Sequence, residues 1–353
     1  MKYLETTHKL IKTVSAIARR SKRLTGFCIG NTAKMHDKNL YFTPIRETSL
    51  MVTAGVIVYR PKEAAQITRA IDGKVDYILV DAEKRIPGVT TTKNDWADLE
   101  QTVRAVIRKS KLWIYKSNDL STEAVDGLLI QLTMNSKYGI AGKKIAVIGA
   151  GNLGFKLAFK LMERGACVTI TRRNKVALKT ITQALNLIKS EYTKSSLNAT
   201  TDNLQAVQGA EILIGTTPGI AAITPEMVES LAPGAIIIDA GKGTLSLQAI
   251  ARAQQRGFEI YRLDISAAFE GLIHRLWATE NVIEKKLGRR KFCGEIIVSG
   301  GLLGRKNEII VDDIRHPGVV YGIADGQGDF IRDLSSSQCL RLKKISQEII
   351  RLK

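Results

Sequence analysis

Residues 143–174 read KKIAVIGAGNLGFKLAFKLMERGACVTITRRN. The run KKIAVI is apolar and β-branched, the composition of a buried strand. Gly149, Gly151 and Gly154 follow in G-x-G-x-x-G spacing. Leu153, Leu157, Ala158 and Leu161 then recur at helical intervals, and CVTIT forms a second strand. Strand, glycine turn, helix and strand make the first half of a βαβ unit that binds a dinucleotide. Gly149 permits the sharp turn, Gly151 lets the backbone approach a pyrophosphate, and Gly154 lets helix and strand pack closely. The phosphates then lie on the helix N-terminus, where free N–H groups and the dipole favour negative charge. Gly149, Ala150, Gly151, Asn152, Leu153 and Gly154 are therefore candidate cofactor contacts.

The end of the second strand selects the cofactor. An acid about twenty residues beyond the glycines would bind the ribose hydroxyls of NAD and repel a 2′-phosphate. Thr171, Arg172 and Arg173 stand there instead, followed by Asn174. A guanidinium pairs with a 2′-phosphate as a fork and stacks on adenine, so NADP is the expected cofactor. Two further strand ends fit the same edge of the sheet. Thr216, Thr217 and Pro218 follow EILIG, and Gly241 follows AIIIDA. Small residues at these positions let the nicotinamide ribose approach.

Around this stretch the chain alternates strands and helices. Apolar runs at residues 26–29, 51–59, 75–80 and 112–115 precede it, and AIIIDA and FEIYRLDI follow it. Alternation of this kind implies a largely parallel, covered sheet. A helix opens the chain at residues 9–20, and residues 121–135 form a longer one. Residues 295–330 hold many glycines and are expected to be rich in loops, and an amphipathic helix at 336–352 closes the chain.

The composition narrows the classes. A chain of 353 residues, 44 % of them hydrophobic, has material for two packed cores. No apolar run approaches the roughly 20 residues of a spanning helix, and the N-terminus shows no secretory pattern. Cys28, Cys167, Cys293 and Cys339 are scattered, with no CxxC pair, so a reducing, cytoplasmic compartment and no metal site are expected. The formal charge of +19 attracts anions in general. Its basic clusters lie in no nucleic-acid module, and aromatics are 6 % of the chain, so nucleic acid is not the expected partner.

Three stretches carry a resemblance to the shikimate dehydrogenase-like group and its methylenetetrahydrofolate dehydrogenase relatives. STEAVDGLLIQL, followed by KYGIAGKKIAVIGAGNLG, resembles the linker helix and glycine turn of the shikimate enzymes. TRRN stands where NADP-dependent members carry Asn-Arg-Thr, and GTTPG is similar to their Asn-Ala-Thr-Pro segment. ITPEMVESLAPGAIIIDAG is similar to the folate enzymes. The resemblance implies an N-terminal α/β catalytic domain, a Rossmann domain, and a last helix that returns to the first domain. It places Asp126 on a family aspartate that pairs with a lysine at the substrate hydroxyl. Lys93, in GVTTTKND, and Lys116, in WIYKSND, are the two lysines available for that role. The family's Ser-x-Ser segment for a substrate carboxylate has no counterpart near the N-terminus, so shikimate itself is not the expected substrate.

The expected organisation is α/β. A catalytic domain spans residues 1–135, a Rossmann dinucleotide-binding domain 136–290, and a C-terminal extension 291–353 packs back on the first domain. The expected activity is NADP(H)-dependent hydride transfer to or from a small, polar, anionic metabolite in the interdomain cleft, with no membrane partner and a homodimer admissible. The alternatives are a methylene-tetrahydrofolate or pterin-type dehydrogenase, a non-catalytic dinucleotide sensor, or a nucleic-acid-associated protein.

Overall fold

A computed structural model describes residues 2–31, 39–83, 98–193 and 195–352. It divides into two compact units, Met1–Leu272 and Ile273–Lys353.

The first unit begins with α1 (Lys2–Ser21), β1 (Leu24–Gly30), β2 (Tyr41–Glu47) and β3 (Met51–Ile57). It continues through α2 (Pro61–Ile71), β4 (Tyr77–Asp81), α3 (Leu99–Val106), β5 (Lys111–Tyr115) and α4 (Ser117–Leu132). The five strands form one sheet in the order β2-β3-β1-β4-β5, in which only the edge strand β2 runs antiparallel to its neighbour. Strand side chains alternate between the two faces, and β1 uses the two faces differently. Phe27 and Ile29 enter a core with Val14 and Ala18 of α1 and Ile67 of α2, while Cys28 and Gly30 line a cavity. Strand β2 is not visible in the apolar pattern. Its Pro44 removes a ladder donor, which an edge strand tolerates.

The second sheet is built from β6 (Lys144–Ile148), α5 (Asn152–Glu163), β7 (Cys167–Thr171), α6 (Lys175–Ile188) and β8 (Leu197–Thr200). It then takes in α7 (Asn203–Val207), β9 (Ile212–Gly215), α8 (Pro225–Glu229), β10 (Ile236–Asp239), α9 (Leu247–Gln255) and β11 (Ile260–Arg262). All six strands are parallel in the order β8-β7-β6-β9-β10-β11, the doubly wound order of dinucleotide-binding sheets. Ile145 and Val147 on one face of β6 join Leu157, Ala158 and Leu161 of α5 in one core; Ala146 and Ile148 face a second core with Met227 and Ala249. Val125 and Leu129 of α4 belong to the first of these cores, so the helix leaving the first sheet packs on the glycine-turn helix. The expected α/β architecture with a Rossmann sheet is the one observed. Among the described residues no helix is long and apolar enough to cross a membrane.

Helix α10 (Ser266–Asn281) leads into the second unit. There β12 (Arg289–Phe292), β13 (Glu295–Ser299), β14 (Ile309–Val311) and β15 (Val320–Ile323) form a sheet in chain order. The segment expected to be rich in loops thus supplies three strands, each of three to five residues. The closing helix α11 (Ser336–Arg351) puts Ile345 and Ile349 into a core with Ile297, Ile309, Val311 and Ile323. Its apolar face is covered by the sheet of its own unit.

Candidate active site

Within the first unit, a cavity of about 830 Å³ opens at the carboxyl edges of both sheets. Open α/β sheets bind ligands at this edge, where connections leave neighbouring strands in opposite directions. Gly30 of β1, Asp81 of β4 and Lys116 after β5 line it from the first sheet. Gly151, Asn152, Leu153, Thr216, Pro218 and Gly241 line it from the second.

The three glycines of the turn perform three different tasks. Gly149 has φ +107°, a conformation side chains rarely adopt. A Cβ at Gly154 would lie 2.3 Å from the Gly149 carbonyl oxygen, so this position holds the helix against the turn. A Cβ at Gly151 would meet nothing within 4 Å, and its φ of −87° suits any residue. The space over Gly151 is left open by the protein. The backbone N–H groups of Asn152, Leu153 and Gly154, at the start of α5, have no acceptor among the described residues. Open space beside unengaged donors at a helix N-terminus is the chemistry a pyrophosphate needs, and a dinucleotide fits this site.

Neighbouring loops brace the turn. Ala150 N–H donates to the Thr171 carbonyl at 2.6 Å, and Thr216 Oγ1 donates to the Gly149 carbonyl at 2.7 Å. Thr217 Oγ1 is turned to the Ile220 carbonyl at 2.7 Å, so it shapes its own loop. A Cβ on Gly241 would come within 2.0 Å of the Thr217 carbonyl oxygen, which requires glycine there.

The two arginines differ. Arg172 is half-buried and donates through Nη1 to the Ala150 carbonyl at 2.8 Å, tying the β7 end to the glycine turn. Arg173 is exposed and has no hydrogen bond or ion pair among the described residues.

Asp239, at the end of β10, is buried and accepts from Gly243 N–H at 2.7 Å and from Thr244 Oγ1 at 2.7 Å. Burial opposes its ionisation, yet the Gly243 and Thr244 bonds, with the Arg262 charge, hold its carboxyl below the ordinary value. A lowered carboxyl contributes stability fully above the ordinary value and loses it as pH falls through the lowered one. Asp239→Asn is therefore expected to lower Tm at neutral pH and to flatten the decline of Tm below about pH 4. Thermal unfolding followed across that range checks it; an unchanged acid limb would refute the assignment.

On the facing wall, acids absent from the sequence prediction organise the start of α4. Asp81 is buried and accepts from Ser117 N–H at 3.2 Å and Ser117 Oγ at 2.7 Å. Glu83 accepts from Asn118 N–H at 2.9 Å and from its Nδ2, and Asn118 Nδ2 also reaches Asn152 Oδ1 at 3.0 Å. Negative charge at a helix N-terminus is stabilising, and these bonds couple the α4 N-terminus to the first residue of α5. The legible signal was a pair of acids closing the apolar run YILVDAE.

The expected catalytic residues fare differently. Lys116 caps α4 and lines the cavity, with no ion pair among the described residues. Asp126 is not among the lining residues. It is buried between α4 and α5 and pairs with Arg164 at 2.5 and 2.7 Å and with Lys160 at 3.4 Å. The Asp126–Lys116 pair implied by the resemblance is not formed. Helical spacing alone could not separate an acid facing the cavity from one facing the next helix. Lys93 lies outside the described residues.

Residues 144–243 match a family model described as NADP oxidoreductase, coenzyme F420-dependent. The second sheet is a Rossmann-like NAD(P)-binding sheet. A segment of 79 residues is 39 % identical to glycerol-3-phosphate dehydrogenase [NAD(P)+] of Limosilactobacillus reuteri; it spans 22 % of this chain and 23 % of that relative. The dipicolinate synthase chain from Bacillus halodurans is similar in structure, with TM-score 0.35 and 17 % identity over 58 % of this chain and 80 % of that one. L-tryptophan dehydrogenase from Nostoc punctiforme gives TM-score 0.39 and 11 % identity, covering 70 % of this chain and 72 % of that one. The Rossmann sheet carries the whole family-model match, from the first residue of β6 to the loop beyond β10.

Proposed function

We propose that the protein is an NADP(H)-dependent oxidoreductase that moves hydride to or from a small, polar, anionic metabolite bound in the cavity of the first unit. The observation that carries this is the facing of two walls across one cavity. One wall presents the Gly151 opening and the unengaged α5 N-terminus; the other presents the Lys116 ammonium, unpaired among the described residues.

A nicotinamide bound there supplies or accepts the hydride. The chain's own groups do the rest. The Asn152, Leu153 and Gly154 N–H groups hold the pyrophosphate, and Thr216, Pro218 and Gly241 border the room for the nicotinamide ribose. Arg173, with no other partner among the described residues, grips the 2′-phosphate, while Arg172 keeps the turn in register through the Ala150 carbonyl. Lys116 gives a proton to the carbonyl oxygen in reduction and takes it back in oxidation, which balances the hydride.

The cofactor assignment is tested by titrating NADPH and NADH against the full chain, following nicotinamide fluorescence. NADPH is expected to bind at least about tenfold more tightly, the yield of one charge-assisted hydrogen bond. Arg173→Ala is expected to weaken NADPH about 10- to 100-fold and to leave NADH unchanged, whereas Arg172→Ala weakens both. Equal affinity for the two dinucleotides would overturn the NADP assignment, and no binding of either would overturn the oxidoreductase assignment.

A further inference from the structure

The cavity has a second cation from the first sheet, on the strand missing from the apolar pattern. Strand β2 pairs Thr43 with Gly55 but Arg46 with Thr53, so one extra residue is accommodated around Pro44 and Ile45. A bulge of this type bends the edge strand and re-aims the side chains beyond it. Arg46, half-buried, is brought to the cavity lining with Tyr41, Phe42 and Thr43. Its guanidinium makes no hydrogen bond or ion pair with any described residue.

The surface beside it has room for a ligand. Cys28 and Gly30 of β1 line the cavity, and neighbouring Gly55 is packed so tightly that a Cβ would lie 2.8 Å from Thr43 Oγ1. Burial pushes the Cys28 thiol up to about 12 against the opposing Arg46 charge, so the thiol stays neutral and is no counter-ion. Asp264, outside the lining, feels the Arg46 charge and is engaged by Ser266 N–H at 2.9 Å and Ser266 Oγ at 2.7 Å. The Ser266 bonds hold Asp264 below its ordinary value, and the Arg46 and Lys242 charges add to the effect. Arg46 and Lys242 thus act on one carboxylate.

We propose that Arg46 is the anchor for a carboxylate of the substrate, held by the guanidinium fork on the β2 wall of the cavity. Naming Arg46 in this role builds on the oxidoreductase assignment and narrows its substrate to a carboxylic acid. Guanidinium and carboxylate match as planar partners in two parallel hydrogen bonds, a geometry lysine cannot reproduce.

The test uses the full chain with malonate and inorganic phosphate as probes, at constant ionic strength, read by thermal shift. NADPH affinity is measured in parallel by fluorescence. Malonate is expected to protect saturably. Its half-effect concentration should rise at least about tenfold in Arg46→Gln and by less in Arg46→Lys, with NADPH affinity held within about twofold. The guanidinium has no partner to lose among the described residues, so both variants are expected to keep the wild-type far-ultraviolet circular dichroism spectrum. Equal malonate protection in wild type and Arg46→Gln overturns the anchor, as does an absence of malonate protection in wild type. Stronger, Arg46-dependent protection by phosphate overturns the carboxylate class. Arg46-dependent malonate protection without any NADPH binding would sustain the anchor and remove the oxidoreductase assignment.

Discussion

Gly151→Val is expected to abolish measurable dinucleotide binding, a loss of at least about 100-fold, while leaving Tm within a few degrees of wild type. The reason is spatial. A side chain at Gly151 meets no protein atom within 4 Å, and its backbone angles are ordinary, so the fold has no objection to it. The same side chain fills the space in which a pyrophosphate would contact the α5 N-terminus. Filling that space costs the ligand its backbone hydrogen bonds, and charged bonds of this kind contribute roughly 1.5–3 kcal/mol each. Two such bonds lost exceed the 100-fold threshold. Gly154→Ala is the internal contrast. Its Cβ would lie 2.3 Å from the Gly149 carbonyl oxygen, so the helix must shift and stability falls with binding. Fluorescence titration with NADPH, alongside thermal unfolding, separates the two. Tight NADPH binding by Gly151→Val would place the dinucleotide elsewhere.

The contrast between these glycines shows what sequence carries. Spacing alone assigned Gly149, Gly151 and Gly154 to turn, ligand approach and packing, because each task depends on local backbone geometry and its place in a βαβ unit. The Rossmann half was legible for that reason: long β-branched runs alternate with helices of regular apolar period. Elements whose identity depends on partners far along the chain were not. Strand β2 hides behind Pro44 and a bulge, and its Arg46 comes to the cavity only through pairing with β3. The strands β13 to β15 are too short for a periodic pattern, and they exist because Ile297, Ile309, Val311 and Ile323 share a core with α11. Asp126 carried a family-like position, yet its carboxylate faces Arg164 and Lys160 on the neighbouring helix. A helix face reveals its neighbour only in three dimensions.

Lys116→Gln is expected to lower kcat about 10²- to 10⁴-fold, the usual contribution of a positioned general acid or base, with little change in NADPH affinity. The lysine follows the last residue of β5 and precedes α4, whose first N–H is held by the Asp81 carboxylate. A strand end and a capped helix N-terminus fix its backbone from both sides. Among the described residues no carboxylate neutralises its ammonium, so it is available to a reacting oxygen in the cavity. Glutamine keeps a hydrogen-bond donor at similar reach and removes only the exchangeable charge, so binding and positioning survive while proton transfer does not. NADPH oxidation with a panel of small 2-oxo carboxylic acids provides the assay, and the split between kcat and KM provides the discriminating readout. Lys116→Gln should lower kcat while KM and Tm stay near wild type, whereas a merely structural role would lower Tm and raise KM as well. Asp126→Asn is expected to lower stability and to leave kcat near wild type, since its carboxylate joins α4 to α5 away from the cavity lining. A wild-type kcat in Lys116→Gln would remove Lys116 from the chemistry.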